Sequence, residues 1–176
     1  MKAQSPEPVR LVCGVLAASP DVVESARASL ETQFGPVDGT FGPVPFTFTD
    51  YYHAEMGAGL QRWFWSFEPL IDPGQLASIK CTTNRLEQAL ATTVDGICRR
   101  RINLDPGYIT PAKLVLATTK DFAHRIYLGG GIFAEVTLAF RRNETVPQPW
   151  TYPDYRSGCY DSFLLGVRRT LPVAGH

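Results

Sequence analysis

A chain of 176 residues, 44% hydrophobic and 19% charged, is long enough to bury one well-packed core and short of the length at which chains usually divide, so a single domain over residues 1–176 is expected. Seventeen basic against seventeen acidic side chains leave no global field to draw the chain to a nucleic-acid backbone or an anionic membrane, and any anion site has to be local. Cys13, Cys81, Cys98 and Cys159 form no C-x-x-C pair, which argues against a zinc knuckle or a thioredoxin-like redox centre and fits buried thiols in a reducing cytoplasm.

In chain order, Val9 to Ala17 reads as a first core strand. Its apolar stretch, LVCGVLAA, could pass for the hydrophobic part of a signal peptide, but it is only eight residues long, is preceded by Glu7 and two prolines, and leads into a helix start, which favours the strand. No other run approaches the length of a membrane span. Ser19-Pro20-Asp21 supplies an N-cap, a proline at the first helical position and an acidic first turn, and Val22, Val23, Ala26, Leu30 and Phe34 recur at helical spacing up to Gly35. Pro43 to Thr49 alternates like an edge strand. Asp50 to Ile71 mixes aromatics and glycines with no clean period and is expected to be an irregular lobe with one helical turn.

Asp72-Pro73-Gly74-Gln75 is a capping box opening a helix with Leu76, Ile79, Leu86 and Leu90 on one face. Cys98 to Leu104 alternates as a strand, closed by an expected turn at Asp105-Pro106-Gly107. Thr110 to Thr118 is expected to be a short helix capped by Thr110-Pro111, with a buried strand as the alternative, because periodicity does not separate the two over so short a run. Arg125 to Leu128 and Ile132 to Arg142 form a hairpin around Gly129-Gly130-Gly131, where glycine tolerates positive φ. Pro147 to Arg156 is extended, and Ser157 to Leu171 closes the chain as a helix with Tyr160, Phe163, Leu164 and Val167 inward. These elements predict an α+β fold: a mixed sheet of about five strands with helices packed on it.

FTDYY at 48–52, EMG at 55–57, RRINLDPGYIT at 100–110, KLVLATTKD at 113–121, HRIYLGGGIFAEVTL at 124–138 and PWTYPDYR at 149–156 together resemble a bacterial family of uncharacterised proteins of about this length, a domain of unknown function. The resemblance implies no established activity, although some members carry an automatic label of GTP-binding protein. The residues argue against that label as a P-loop claim. No G-x-x-x-x-G-K-[ST] loop exists to cradle phosphates, and Thr119-Lys120-Asp121 lacks the spacer of an N/T-K-x-D guanine motif.

The densest chemistry lies between Arg99 and Leu138, where charged residues interrupt apolar runs. Arg99 and Arg101 share one strand face and Arg100 takes the other. Thr118 to Arg125 gathers two hydroxyls, an ammonium, a carboxylate, an imidazole and a guanidinium within eight residues, the composition of an anion site with a general acid or base. The expected site is a cleft lined by Asp50, Arg100, Asp105, Lys113, Lys120, His124, Arg125 and Glu135. In it Arg100, Lys113, Lys120 and Arg125 hold a small phosphate-bearing, nucleotide-like ligand, His124 moves the proton, and Asp50, Asp105 and Glu135 orient cations or a metal. Catalytic roles fall to His124 and Asp105, with hydrolysis or transfer at phosphate as the reaction class. Asp50, His53 and Glu55 carry metal-ligand chemistry without a spacing that fixes a site, so no metal and no cofactor is assigned. No G-x-S-x-G elbow supports covalent catalysis. The rival reading is a non-catalytic interaction protein presenting the aromatic segments around Trp63 and Trp150 to a partner.

Overall fold

The computed structural model of the chain describes residues 2–49, 51–94 and 96–172, and of His53 and Ala54 the backbone alone. Strand β1 (Val9–Ala17) is buried at every position, which is why its sequence is apolar at all but Arg10 rather than alternating. It lies between β3 (Gln61–Ile71) and β6 (Ile102–Ile109), antiparallel to both. Outward from β3 comes β2 (Val37–Pro45), and outward from β6 come β7 (Lys113–Thr118), β9 (Ile132–Arg141) and β10 (Glu144–Pro147). Strand β8 (Ile126–Gly129) pairs with β9 to complete an eight-stranded sheet, antiparallel at every pairing. A separate hairpin joins β4 (Thr92–Val94) to β5 (Ile97–Arg99).

One sheet face carries α1 (Pro20–Phe34), whose Val22, Val23, Ala26 and Leu30 are buried, and α3 (Leu76–Ala89), entered through a 3-10 turn that Asp72 caps by accepting from the Gly74 amide at 2.7 Å. The core on this side joins Leu11, Cys13 and Val15 to Trp65, Phe67 and Leu104. The opposite face is covered by the short α4 (Pro153–Arg156) and by α5 (Asp161–Arg169), with Tyr155, Tyr160, Leu164 and Val167 packed on Val12, Phe64 and Leu114. Between β2 and β3 the chain leaves the sheet as a lobe containing α2 (His53–Met56), closed at its base by the Phe46 amide donating to the Leu60 carbonyl at 2.9 Å. No helix among the described residues is long and apolar enough to cross a membrane.

The α+β expectation holds, and the sheet expectation needs correcting: eight antiparallel strands instead of a mixed sheet of about five. Lys113 to Thr118 is a strand, not a helix. It reads as continuously apolar because it sits between β6 and β9 with Leu114 and Leu116 in one core cluster and Val115 and Ala117 in another. The second half of the expected irregular lobe is β3, whose aromatics fall on both faces, Phe64 against α5 and Trp65 and Phe67 against α1, so no period-two signal survives. The edge strand expected over Pro43 to Thr49 lies further upstream, at Val37–Pro45. Asp105-Pro106-Gly107, expected to turn, continues β6 opposite Gly14, Cys13 and Val12.

Candidate functional site

The sheet forks at β6. Strand β6 pairs with β1 over its whole length and with β7 only at Gly107, Tyr108 and Ile109. Where β7 leaves, the backbone groups of Leu104 are taken by α3: the Leu104 amide donates to Glu87 Oε1 at 2.7 Å, and Lys80 Nζ donates to the Leu104 carbonyl at 2.6 Å. Pro106 has the same strand parity as Leu104, so its missing donor falls on the side that has lost its partner. At the branch point a side chain at Gly107 would put Cβ 2.4 Å from the Val115 carbonyl oxygen, so only glycine permits this approach of β6 and β7.

Below the fork opens a cleft of about 660 Å3. Its sheet wall is a row of neighbouring strand positions: Arg62 and Asn103 flank Leu16, Phe64 and Asp105 flank Gly14, and Glu135 pairs with Leu116. The floor is Lys80, Asn84 and Glu87 from α3; the other sides are Phe46, Tyr51 and Tyr52 from the lobe, Thr118 to Lys120, and Tyr152 to Tyr155.

Arg62 is 3% exposed and organises the wall. Its guanidinium donates to Asp105 Oδ2 at 3.2 Å and Asp154 Oδ2 at 3.4 Å and lies over the Phe46 ring, 5.0 Å from its centroid. Asp105 Oδ2 also accepts from Asn103 Nδ2 at 2.8 Å, and Lys80 Nζ is 4.0 Å from Oδ1. Arg100 grips Glu55 through two bonds of 2.8 and 2.6 Å and donates to Glu87 at 3.3 Å and Asn103 at 3.1 Å. Burial pushes the Asp105 carboxyl up, but Lys80 and Arg62 outweigh it and hold the group below the ordinary aspartate range. At Asp154 and Glu87 burial wins and both carboxyls are raised, against the pull of Arg62 and of Lys80 respectively. The Tyr152 hydroxyl is pushed up to about 12 by burial and by Glu135. Two buried polar atoms here have no protein partner, Nε of Arg62 and the hydroxyl of Tyr155.

Of the residues expected at the site, Arg100, Asp105, Lys120 and Glu135 line the cleft. Arg125 and His124 reach it through Glu135, whose Oε2 is 2.8 Å from Arg125 Nε and 3.0 Å from His124 Nε2; the imidazole also stacks on Trp150 at 4.8 Å. Lys113 does not join them. It is exposed at the other end of β7, opposite Ala139 and about 10 Å along the strand from Leu116. Asp50 and the side chain of His53 lie outside the described residues, and among those described no cluster of metal-ligating side chains forms. Sequence reasoning missed Arg62, Lys80, Glu87, Asp154 and Tyr155. A guanidinium inside QRWFW was the available signal for Arg62, and a lysine and a glutamate seven residues apart near the buried stripe of α3 the signal for the floor.

Comparison with known proteins matches residues 7–171 to a family model described as Domain of unknown function (DUF4416). No curated protein and no solved structure matches the chain.

Proposed function

We propose that this chain, which belongs to the DUF4416 family, binds a small anionic, nucleotide-sized metabolite in the cleft at the β6–β7 fork. One observation carries the reading: Arg62 Nε and the Tyr155 hydroxyl are buried in the cleft wall with donors that nothing in the protein accepts. Leaving such groups bare costs roughly 1–3 kcal/mol each, so an acceptor admitted by a small shift of the wall is favoured there. Bound water is the competing occupant. The cleft volume is within the roughly 300–1,000 Å3 usual for small-molecule sites.

Charge decides which end of the ligand goes where. The lining cations Arg62, Lys80 and Arg100 each have carboxylate partners at 4.0 Å or less. Lys120 instead lies on the Tyr51 ring at 4.2 Å and donates to its hydroxyl at 2.9 Å. Its ammonium, on a cleft side that Thr118 and Thr119 also line, is the place for a phosphate or carboxylate, with the rest of the ligand directed inward along Phe46 and Leu116 toward Arg62 and Asp105. For hydrolysis or transfer, Asp105 is the ionised carboxylate with an edge on the cleft, and His124 acts by positioning Glu135. The aromatic-lobe alternative is less well supported, since Trp63 is half-buried and the Trp150 indole is occupied by the Val136 carbonyl and the His124 ring.

The test is calorimetric titration with inorganic phosphate and with nucleoside mono-, di- and triphosphates, with and without magnesium. At least one compound should bind, and Lys120→Ala should weaken it about tenfold or more, the value of a charge-assisted hydrogen bond, with the melting temperature of the free protein unchanged. Tight binding of GTP alone, strictly magnesium-dependent, would be P-loop behaviour and is not expected. Absence of binding by every compound, or equal affinity of wild type and K120A, overturns the proposal.

A further inference from the structure

The sheet has three free edges among the described residues, and they are built differently. Natural sheets guard an open edge with proline, charge or irregularity, because unpaired backbone groups otherwise recruit another strand. Strand β2 carries Pro43, Pro45 and Asp38, and its register against β3 shifts twice. Strand β10 begins with Glu144 beside Arg141 and Arg142 and ends at Pro147. Strand β8 has the fewest of these guards: Ile126, Tyr127, Leu128 and Gly129 contain neither charge nor proline, and its register against β9 shifts once, between Tyr127 and Gly129. Its side chains are 71%, 60% and 42% exposed at Ile126, Tyr127 and Leu128, and Phe122 in the preceding turn is 65% exposed. The nearest charge, Arg125, is turned inward onto Glu135.

We propose that β8 is a dimerisation edge, pairing antiparallel with β8 of a second copy of this chain about a two-fold axis to join the two eight-stranded sheets. An antiparallel edge is self-complementary under a two-fold axis. With the axis at Tyr127, Ile126 meets the partner's Leu128 on one side of the ribbon and the two Tyr127 rings meet on the other, so apolar groups face apolar groups and no charge is buried. At about 200 Å2 per large side chain, the exposed fractions give on the order of 400 Å2 of apolar surface per copy, near the largest patch a monomer usually shows. Two copies bury about 800 Å2 from these side chains alone, and strand backbone and flanking residues bring the contact toward the roughly 1,200 Å2 at which specific interfaces begin. A dimer of modest affinity follows. The inference does not depend on the cleft having a ligand.

Sedimentation velocity of the full chain from ~1 to ~200 μM spans the affinities expected of an interface of that size. The expected result is a monomer–dimer equilibrium in the wild type and a monomer throughout for the double variant Ile126→Lys, Leu128→Lys, with unchanged circular dichroism. Hydrogen exchange on the wild type gives a readout that needs no variant: β8 amides should gain protection as concentration rises while those of β2 and β10 do not. A wild type that stays monomeric overturns the proposal, as does a dimer that persists in the lysine variant or protection gained at another edge. A partner peptide or a lipid surface using β8 instead would appear as such a monomer.

Discussion

Arg62 shows what a single buried charge does in this protein. Its guanidinium sits between two carboxylates and over the Phe46 ring, with the Phe64 ring 5.8 Å away. Removing one member of such a buried set leaves the others uncompensated, so Arg62→Met should destabilise the fold by about 3–5 kcal/mol in urea denaturation, despite similar volume. A loss under about 1 kcal/mol would mean that water reaches Asp105 and Asp154 and screens them. The same set gives opposing pH dependences. Asp105, lowered, contributes stability that is present above the unfolded carboxyl value and is lost as pH falls through its folded value. Asp154, raised, contributes in the reverse sense: its stability is complete below about pH 4, the unfolded value, and is lost as pH rises through its folded value. Asp154→Asn should therefore make the slope of unfolding free energy against pH more positive as pH rises above about 4, and an unchanged slope would show that Asp154 is ionised as readily as in water. Asp105 and Glu135 were legible in sequence because each is a carboxylate set against apolar residues, Asp105 after Ile102 and Leu104 and Glu135 within Ile132 to Leu138. Arg62 was not, because one arginine among aromatics is equally the pattern of an exposed strand position, and only the three-dimensional approach of Asp154, 92 residues away, distinguishes them.

The fork between β6 and β7 is the element that makes a cleft out of a sheet. Parallel progress of the two strands would fill this space with ladder hydrogen bonds; instead Glu87 and Lys80 satisfy Leu104 from the side and leave the cavity open beside them. Glu87→Leu should cost about 1–3 kcal/mol, since it strands the Leu104 amide and leaves Arg100 with fewer partners. Gly107→Ala should cost a similar ~1–3 kcal/mol by a different cause, pushing β6 from β7 at the branch. Both are read from chemical denaturation, and tolerance of alanine at 107 would mean the strands can separate there without loss. Elements with clear boundary signals were legible: β1, α1, the α3 entry and the β8–β9 hairpin appear where cap, proline and glycine signals put them. The internal strands β3 and β7 were not, because a strand buried on both faces loses the alternation that identifies it. Asp105-Pro106-Gly107 has turn composition, yet it is used to end one pairing of β6 while the strand itself goes on.

At the scale of the whole molecule, a chain with no net charge gathers Arg62, Lys80, Glu87, Arg100 and Asp105 into one cleft beside the lobe between β2 and β3. The lobe has a small core of its own, in which Phe46, Met56 and Leu60 meet Leu16 of β1. Beyond that it is tied to the cleft by polar links: Glu55 to Arg100 and Tyr51 to Lys120. Glu55 is held below the usual glutamate range by its bonds to Arg100, so the first link is intact at neutral pH. Its exposure, 43% at the side chain, keeps its contribution to global stability at about 1 kcal/mol or less. A weak link on a segment with few apolar anchors governs local opening rather than unfolding. Glu55→Ala should consequently speed hydrogen exchange at the Glu55 and Met56 amides, both of which donate to the Tyr52 carbonyl, while amides of β1 and β6 exchange as before and the melting temperature stays within a degree or two. A binding compound should slow the same amides, because its contacts with Tyr51 and Lys120 oppose opening. Exchange at 55 and 56 indifferent to E55A would show that the packing of Phe46, Met56 and Leu60 holds the lobe without the ion pair. A matching acceleration in β6 would show that Glu55 supports the fork through Arg100 and Asn103 instead of fastening the lobe across the cleft.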